Sequence, residues 1–182
     1  TRCCSSAASD VYKRQVKPLV KRLTKSKSFC SLIVGNGQSI LFEKYAKDFS
    51  YSQPQTIMSI TKMFANLFVG ELLKNKKINL NKNVSYYLPK IGSGYANAKV
   101  QDILNMNVVN AYTEDYTKAY SSSFMHEPVG GWRLPKSGQI KLSQEQYLNT
   151  IKNIKNRGLK NNSDYALYKS ANTDVIGLII EK

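Results

Sequence analysis

Between Thr56 and Leu73, apolar residues recur at Met63, Phe64, Leu67, Phe68, Leu72 and Leu73, a helical period that predicts one helix buried along a broad face. The opening turn of that stretch carries Ser59 and, three residues on, Lys62, which a helix brings to the same side one turn apart. That is close enough for an amine to take a hydroxyl proton, the least equipment of a lysine-activated serine nucleophile. The chemistry places a demand on the lysine. An amine with a solvent pKa near roughly 10.4 is protonated at neutral pH, so burial or positive potential must hold it as the free base. A helix N-terminus supplies such potential, and its N–H groups can hold the oxyanion of an attacked carbonyl. By itself Ser-x-x-Lys is a weak signal, because chance produces it in a chain rich in both residues, where an exposed serine beside a solvated lysine is the ordinary reading.

The rest of the composition narrows the field. The chain has 182 residues and 42% hydrophobic content, enough for one domain with a sizeable core. Its formal net charge is +15, and seven basic residues fall between Lys13 and Lys27, a cluster that would attract nucleic acid or anionic membrane. The other lysines are scattered and lack aromatic interleaving, so a solvated lysine-rich surface is the preferred reading and no nucleic-acid partner is expected. Cys3 and Cys4 are adjacent and Cys30 sits in an apolar run, which fits neither a zinc site nor a disulfide framework. His126 is the single histidine; its Ser/Met/Glu/Pro context reads as a loop and leaves one candidate for a Ser-His pair. No apolar run reaches the roughly 18 residues of a transmembrane helix.

In chain order, Thr1 to Gln15 has neither the apolar middle of a signal peptide nor a helical period, and reads as a non-native leader. Residues 16–182 are then the protein proper, beginning with a basic short helix or linker. Runs at 29–34 and 39–45 are β-prone, and the Asn36-Gly37 pair between them predicts an antiparallel hairpin. Residues 78–89 read as a punctuated surface stretch, 100–106 as a short helix, and 107–140 as a long irregular region in which Trp132 is a packing anchor. Ser143 caps an amphipathic helix running to Ile154, and 172–180 is a buried helix capped by Asn172 or Thr173.

Met58-Ser-Ile-Thr-Lys62, Leu72 to Leu80, Val84 to Pro89, Val100 to Met106 and Tyr168 to Gly177 follow the strand pair in an order and spacing that resemble the class C β-lactamase and penicillin-binding superfamily of serine hydrolases. Glu114-Asp115-Tyr116, Gly131-Trp132-Arg133 and the Tyr-x-Ser-Ala-Asn-Thr-Asp-Val segment are most similar to its 6-aminohexanoate-oligomer hydrolase branch. The resemblance implies an α/β (α+β) serine β-lactamase-like fold, an antiparallel sheet flanked by helices, of which residues 16–182 would be the N-terminal portion. It also implies catalytic roles for Ser59 as nucleophile, Lys62 as its base and Tyr168 as proton carrier to the leaving group. Tyr116, Ser170 and Glu127 fall at substrate-binding positions. Ser170 stands where many relatives carry Asn, and the family's third motif would lie beyond Lys182.

The expected activity is therefore hydrolysis of a small-molecule amide or ester through an acyl-enzyme, which calls for no metal or organic cofactor; without the third motif the chain alone is expected to be inactive. Two other classes stay open: a non-catalytic or penicillin-binding cell-wall protein on the same scaffold, and a basic binder of nucleic acid or membrane surfaces. Compartment and oligomeric state are not legible in the sequence.

Overall fold

Asn36 and Gly37 close the hairpin that local chemistry predicts. In a computed structural model describing residues 17–154 and 165–182, strand β1 (Ser31–Gly35) pairs antiparallel with β2 (Ile40–Tyr45), Ser31 standing opposite Tyr45 and Val34 opposite Phe42. Gly37 takes φ 85°, and the Asn36 Oδ1 accepts from the backbone N–H groups of Gln38 and Ser39 at 3.1 and 2.9 Å, so side chain and glycine together fix the turn. The short basic helix α1 (Lys17–Leu23) precedes the hairpin and buries only Val20. These elements belong to a unit spanning Thr1–Thr56, distinct from the unit Ile57–Lys182. The leader expected at 1–15, with Cys3 and Cys4, lies outside the described residues.

In the second unit the chain enters as a 3₁₀ turn, Met58–Thr61, and continues as α2 (Lys62–Lys74). Sequence periodicity joins these two pieces into one helix with a broad buried face; the structure departs from that on both counts. Only Val69 of α2 is buried, with Ala65 and Leu72 partly so, whereas Met63, Phe64, Leu67, Phe68 and Leu73 are exposed. The inward stripe is thus narrow, Lys62, Ala65, Val69 and Leu72, and it is the side that meets the last helix, α8 (Ser170–Ile180).

Short helices follow: α3 (Val84–Tyr87), α4 (Ser93–Ala96), α5 (Val100–Leu104), α6 (Ser122–His126) and α7 (Gln144–Asn149). Helix α8 buries Ala171, Asn172, Val175, Ile176 and Ile179 at spacings of one helical face, and α2, α5, α6 and α7 all pack on it. Ser143, the expected cap, forms a reciprocal capping box with Gln146 on α7.

Three sequence expectations are corrected. Residues 78–89 are not a surface stretch, since Ile78, Val84 and Leu88 lie in the core; Val84 N–H donates to Ala98 O at 2.8 Å and draws the segment inward. The region 107–140 contains helix α6, whose N-cap Ser121 accepts from Phe124 N–H, and its Val108, Tyr112 and His126 are buried. Trp132 is exposed rather than anchoring a core.

Candidate active site

Ser59 occupies the second position of the 3₁₀ turn, presented by a backbone bend at Met58, whose φ of 47° lies in the left-handed region. A methionine held there costs about 1–3 kcal/mol, an expense usually found where a local geometry matters. The 3₁₀ turn leads directly into α2, so Lys62 at the helix start comes up under the serine, and its Nζ lies 3.0 Å from Ser59 Oγ. Beneath Lys62 is a cavity of about 30 Å³, lined in part by Ala65, Asn66, Met106 and Thr173, on the order of one water.

From the far end of the chain Tyr168 reaches the same oxygen. Its hydroxyl donates to Ser59 Oγ at 2.8 Å, and Lys62 Nζ lies 5.5 Å from its ring centroid. Partial desolvation pushes the Tyr168 phenol up. The hydrogen bonds with Ser59 and Lys62, the lysine's charge and the Ser170 hydroxyl outweigh it, and the net result is a pKa below the ordinary tyrosine value. Ser59, Lys62 and Tyr168 therefore form one cluster with the serine oxygen at its centre.

A second cluster adjoins it. Ser170, first residue of α8, donates its N–H to Glu114 Oε2 at 2.9 Å and its hydroxyl to Glu114 Oε1 at 2.7 Å. Tyr116 donates its hydroxyl to the same carboxylate and stands 3.1 Å from Ser170 Oγ. Desolvation and the bond to Glu114 push the Tyr116 phenol up to about 12, so it stays a donor at neutral pH. Glu114 is the residue that sequence reasoning passed over as a functional group. Its signal was a carboxylate two residues before Tyr116, but only the fold reveals that it caps α8 beside Tyr168.

Glu127 is placed differently. It ends α6 and its Oε2 lies 3.0 Å from Arg133 Nε, an ion pair by distance whose angle does not make a hydrogen bond. Arg133 also covers the Phe124 ring at 3.5 Å, so a cationic substrate group approaching Glu127 would compete with a seated guanidinium. His126, expected in a loop, is instead buried at the end of α6. Its Nε2 is 3.0 Å from Asp174, its Nδ1 is 3.2 Å from the Tyr112 hydroxyl, and its ring stacks on Tyr147. Those three partners give His126 a structural role, tying α6 and α7 to α8. Among the described residues no group of three or more His, Cys, Asp or Glu could hold a metal ion, and no helix is long and apolar enough to cross a membrane.

No family model matches the chain. It is similar to a 6-aminohexanoate-dimer hydrolase of Paenarthrobacter ureafaciens, 30% identical over 153 residues that make up 84% of this chain and 37% of that protein. A solved structure from Bacillus anthracis, described as a candidate 6-aminohexanoate-dimer hydrolase, matches with a TM-score of 0.67 at 16% identity, over 91% of this chain and 42% of that one. The chain thus spans well under half the length of either relative. The mixed architecture, helices with a small antiparallel sheet, is the one it shares with that solved structure.

Proposed function

From a chain that is a homologue of a 6-aminohexanoate-dimer hydrolase, we propose the acylating portion of a serine hydrolase with a β-lactamase-like fold, acting on an amide or ester bond of a small molecule. The observation that carries this reading is that one serine oxygen, Ser59 Oγ, has both an amine at 3.0 Å and a phenol at 2.8 Å. Lys62 takes the Ser59 proton while Oγ attacks the carbonyl carbon. The carbonyl π electrons move to oxygen, and the Ser59 N–H, in the first turn where helices leave donors without internal acceptors, faces the developing charge. Tyr168 gives its proton to the departing nitrogen or oxygen as the C–N or C–O bond breaks, and is recharged from the Lys62 ammonium. Water then attacks the acyl-serine, returning Ser59 and releasing the acid. Tyr116 and Ser170, held by Glu114, form the wall against which the substrate amide would lie.

Intact-mass analysis of the folded protein, expressed from its complete gene and treated with a fluorophosphonate, tests the reading. A single adduct that disappears in Ser59→Ala is the expected result. If that folded protein stays unlabelled, Ser59 is left without nucleophilic character, favouring a non-catalytic protein on the same scaffold.

A further inference from the structure

Residue 169 enters α8 in extended conformation, with φ −145° and ψ 123°. Along extended backbone successive side chains point to opposite faces, and burial alternates accordingly: Tyr168 is exposed, Lys169 is buried at 7% and Ser170 is half-buried. Whatever fixes the direction of Lys169 therefore fixes the opposite direction for both neighbours, one reaching Ser59 and the other Glu114. A lysine so buried is uncommon, because its ammonium must leave water for partners that replace it. Here Lys169 Nζ donates to Tyr112 O at 2.8 Å and to Asn110 O at 3.3 Å. Those carbonyls sit on a fixed floor. Asn110 Nδ2 donates to Gly94 O, Asn110 Oδ1 accepts from Tyr112 N–H, and the buried Tyr112 ring meets His126.

We infer that Lys169 is a positioning residue: its ammonium, seated on the Asn110 and Tyr112 carbonyls, holds the entrance of α8 so that the Tyr168 hydroxyl meets Ser59 Oγ. The inference rests on the reading of Ser59 as nucleophile and Tyr168 as proton carrier. On the other side of Tyr168, Leu167 N–H donates to Met106 O, so the tyrosine's backbone is pinned both before and after it. A neutral side chain of similar length would fill the space of Lys169 but leave two buried carbonyls without this donor, freeing the segment to shift. A displacement on the order of 1 Å at a reacting group is worth about 10²-fold in rate.

Two probes separate positioning from mere folding. A fluorophosphonate loses fluoride and needs no proton from Tyr168, whereas a short-chain acyl p-nitroanilide must have its leaving nitrogen protonated. In the protein expressed from its complete gene, the unsubstituted form, Lys169→Met, Lys169→Arg, Tyr168→Phe and the Lys169→Met/Tyr168→Phe double variant are compared with both, folding being checked by circular dichroism. The expected result is that Lys169→Met slows anilide cleavage about 10²-fold while changing fluorophosphonate labelling only a few-fold, and that Lys169→Arg recovers part of the loss. In the double variant the two losses should fail to multiply. Equal slowing of both probes, unchanged anilide cleavage, or losses that multiply would overturn the inference. If Lys169→Met does not fold, Lys169→Gln, whose amide still donates to one carbonyl, is held to the same criteria. A folded unsubstituted protein, expressed from its complete gene, that is inert to both probes would remove the hydrolase reading itself; one labelled by the fluorophosphonate but inert to the anilide would remove only the role of Tyr168, and the inference with it.

Discussion

Tyr168 and Ser59 are separated by 109 residues, yet their side-chain oxygens lie 2.8 Å apart. The contact exists because α8 packs on α2, and residue 168 lies just ahead of the first turn of α8 while Ser59 lies just ahead of the first turn of α2. Two helix starts brought side by side deliver one phenol and one alcohol to a common point.

Replacing Tyr168 by Phe removes the proposed proton carrier and leaves the ring in place. Cleavage of an amide substrate should fall by about 10²–10⁴-fold, with a nearly unchanged thermal midpoint because the residue is exposed. In the unsubstituted protein the rate should be lost on the alkaline side below the ordinary tyrosine pKa of about 10, since the protonated phenol is the donor and its pKa is lowered. A pH–rate profile with an alkaline limb above that value would contradict the Tyr168 environment described.

Glu114→Gln keeps the shape of the side chain but withdraws the charge that accepts from Ser170 N–H, Ser170 Oγ and Tyr116. Loss of this cap on α8 should cost about 1 kcal/mol. For a chain of this size that is a fall of about 2–4 °C in the thermal midpoint. Tyr116, no longer fixed, should raise KM more than it lowers kcat. Steady-state kinetics showing the reverse split would place Glu114 in the chemical step.

Alkaline pH should unfold the protein through its tyrosines. Burial raises the phenols of Tyr95, Tyr112 and Tyr147 well above their usual range. Each holds its proton more tightly folded than unfolded, so its stabilisation is whole below about pH 10 and is lost as pH rises towards the folded values. Tyrosinate absorbance for these residues should therefore appear together with loss of helical circular dichroism. Smooth ionisation with the helix signal intact would show that they are open to solvent.

The Tyr95 hydroxyl donates to the fully buried Asn172 at 3.0 Å, and Asn172 Nδ2 lies 3.4 Å from Ile103 O. Tyr95→Phe strands the Asn172 oxygen and should cost about 1–3 kcal/mol. Gly92→Ala should cost a similar 1–3 kcal/mol for a different reason. A Cβ at residue 92 would come within 2.5 Å of Ile151 O and 2.6 Å of Asn149 O, both backbone atoms that cannot step aside. Denaturant titration of each variant measures these losses, and a midpoint unchanged in either would refute its contact.

What the sequence determined by itself is whatever a few neighbouring residues settle among themselves. Asn36-Gly37 dictated the hairpin through backbone conformations that few residues tolerate, Ser143 and Gln146 capped their own helix, and three-residue spacing put Ser59 beside Lys62. The tertiary structure alone decided the partners supplied from a distance: that Ile78 and Val84 go inward, that His126 is buried against Asp174, that Met63 and Phe64 stay exposed, and that Glu114 and Lys169 brace the start of α8. Periodicity records how apolar a helix face is, but burial depends on whether another element arrives to cover it. A lysine's place, likewise, is fixed by carbonyls more than fifty residues away, which no local pattern encodes.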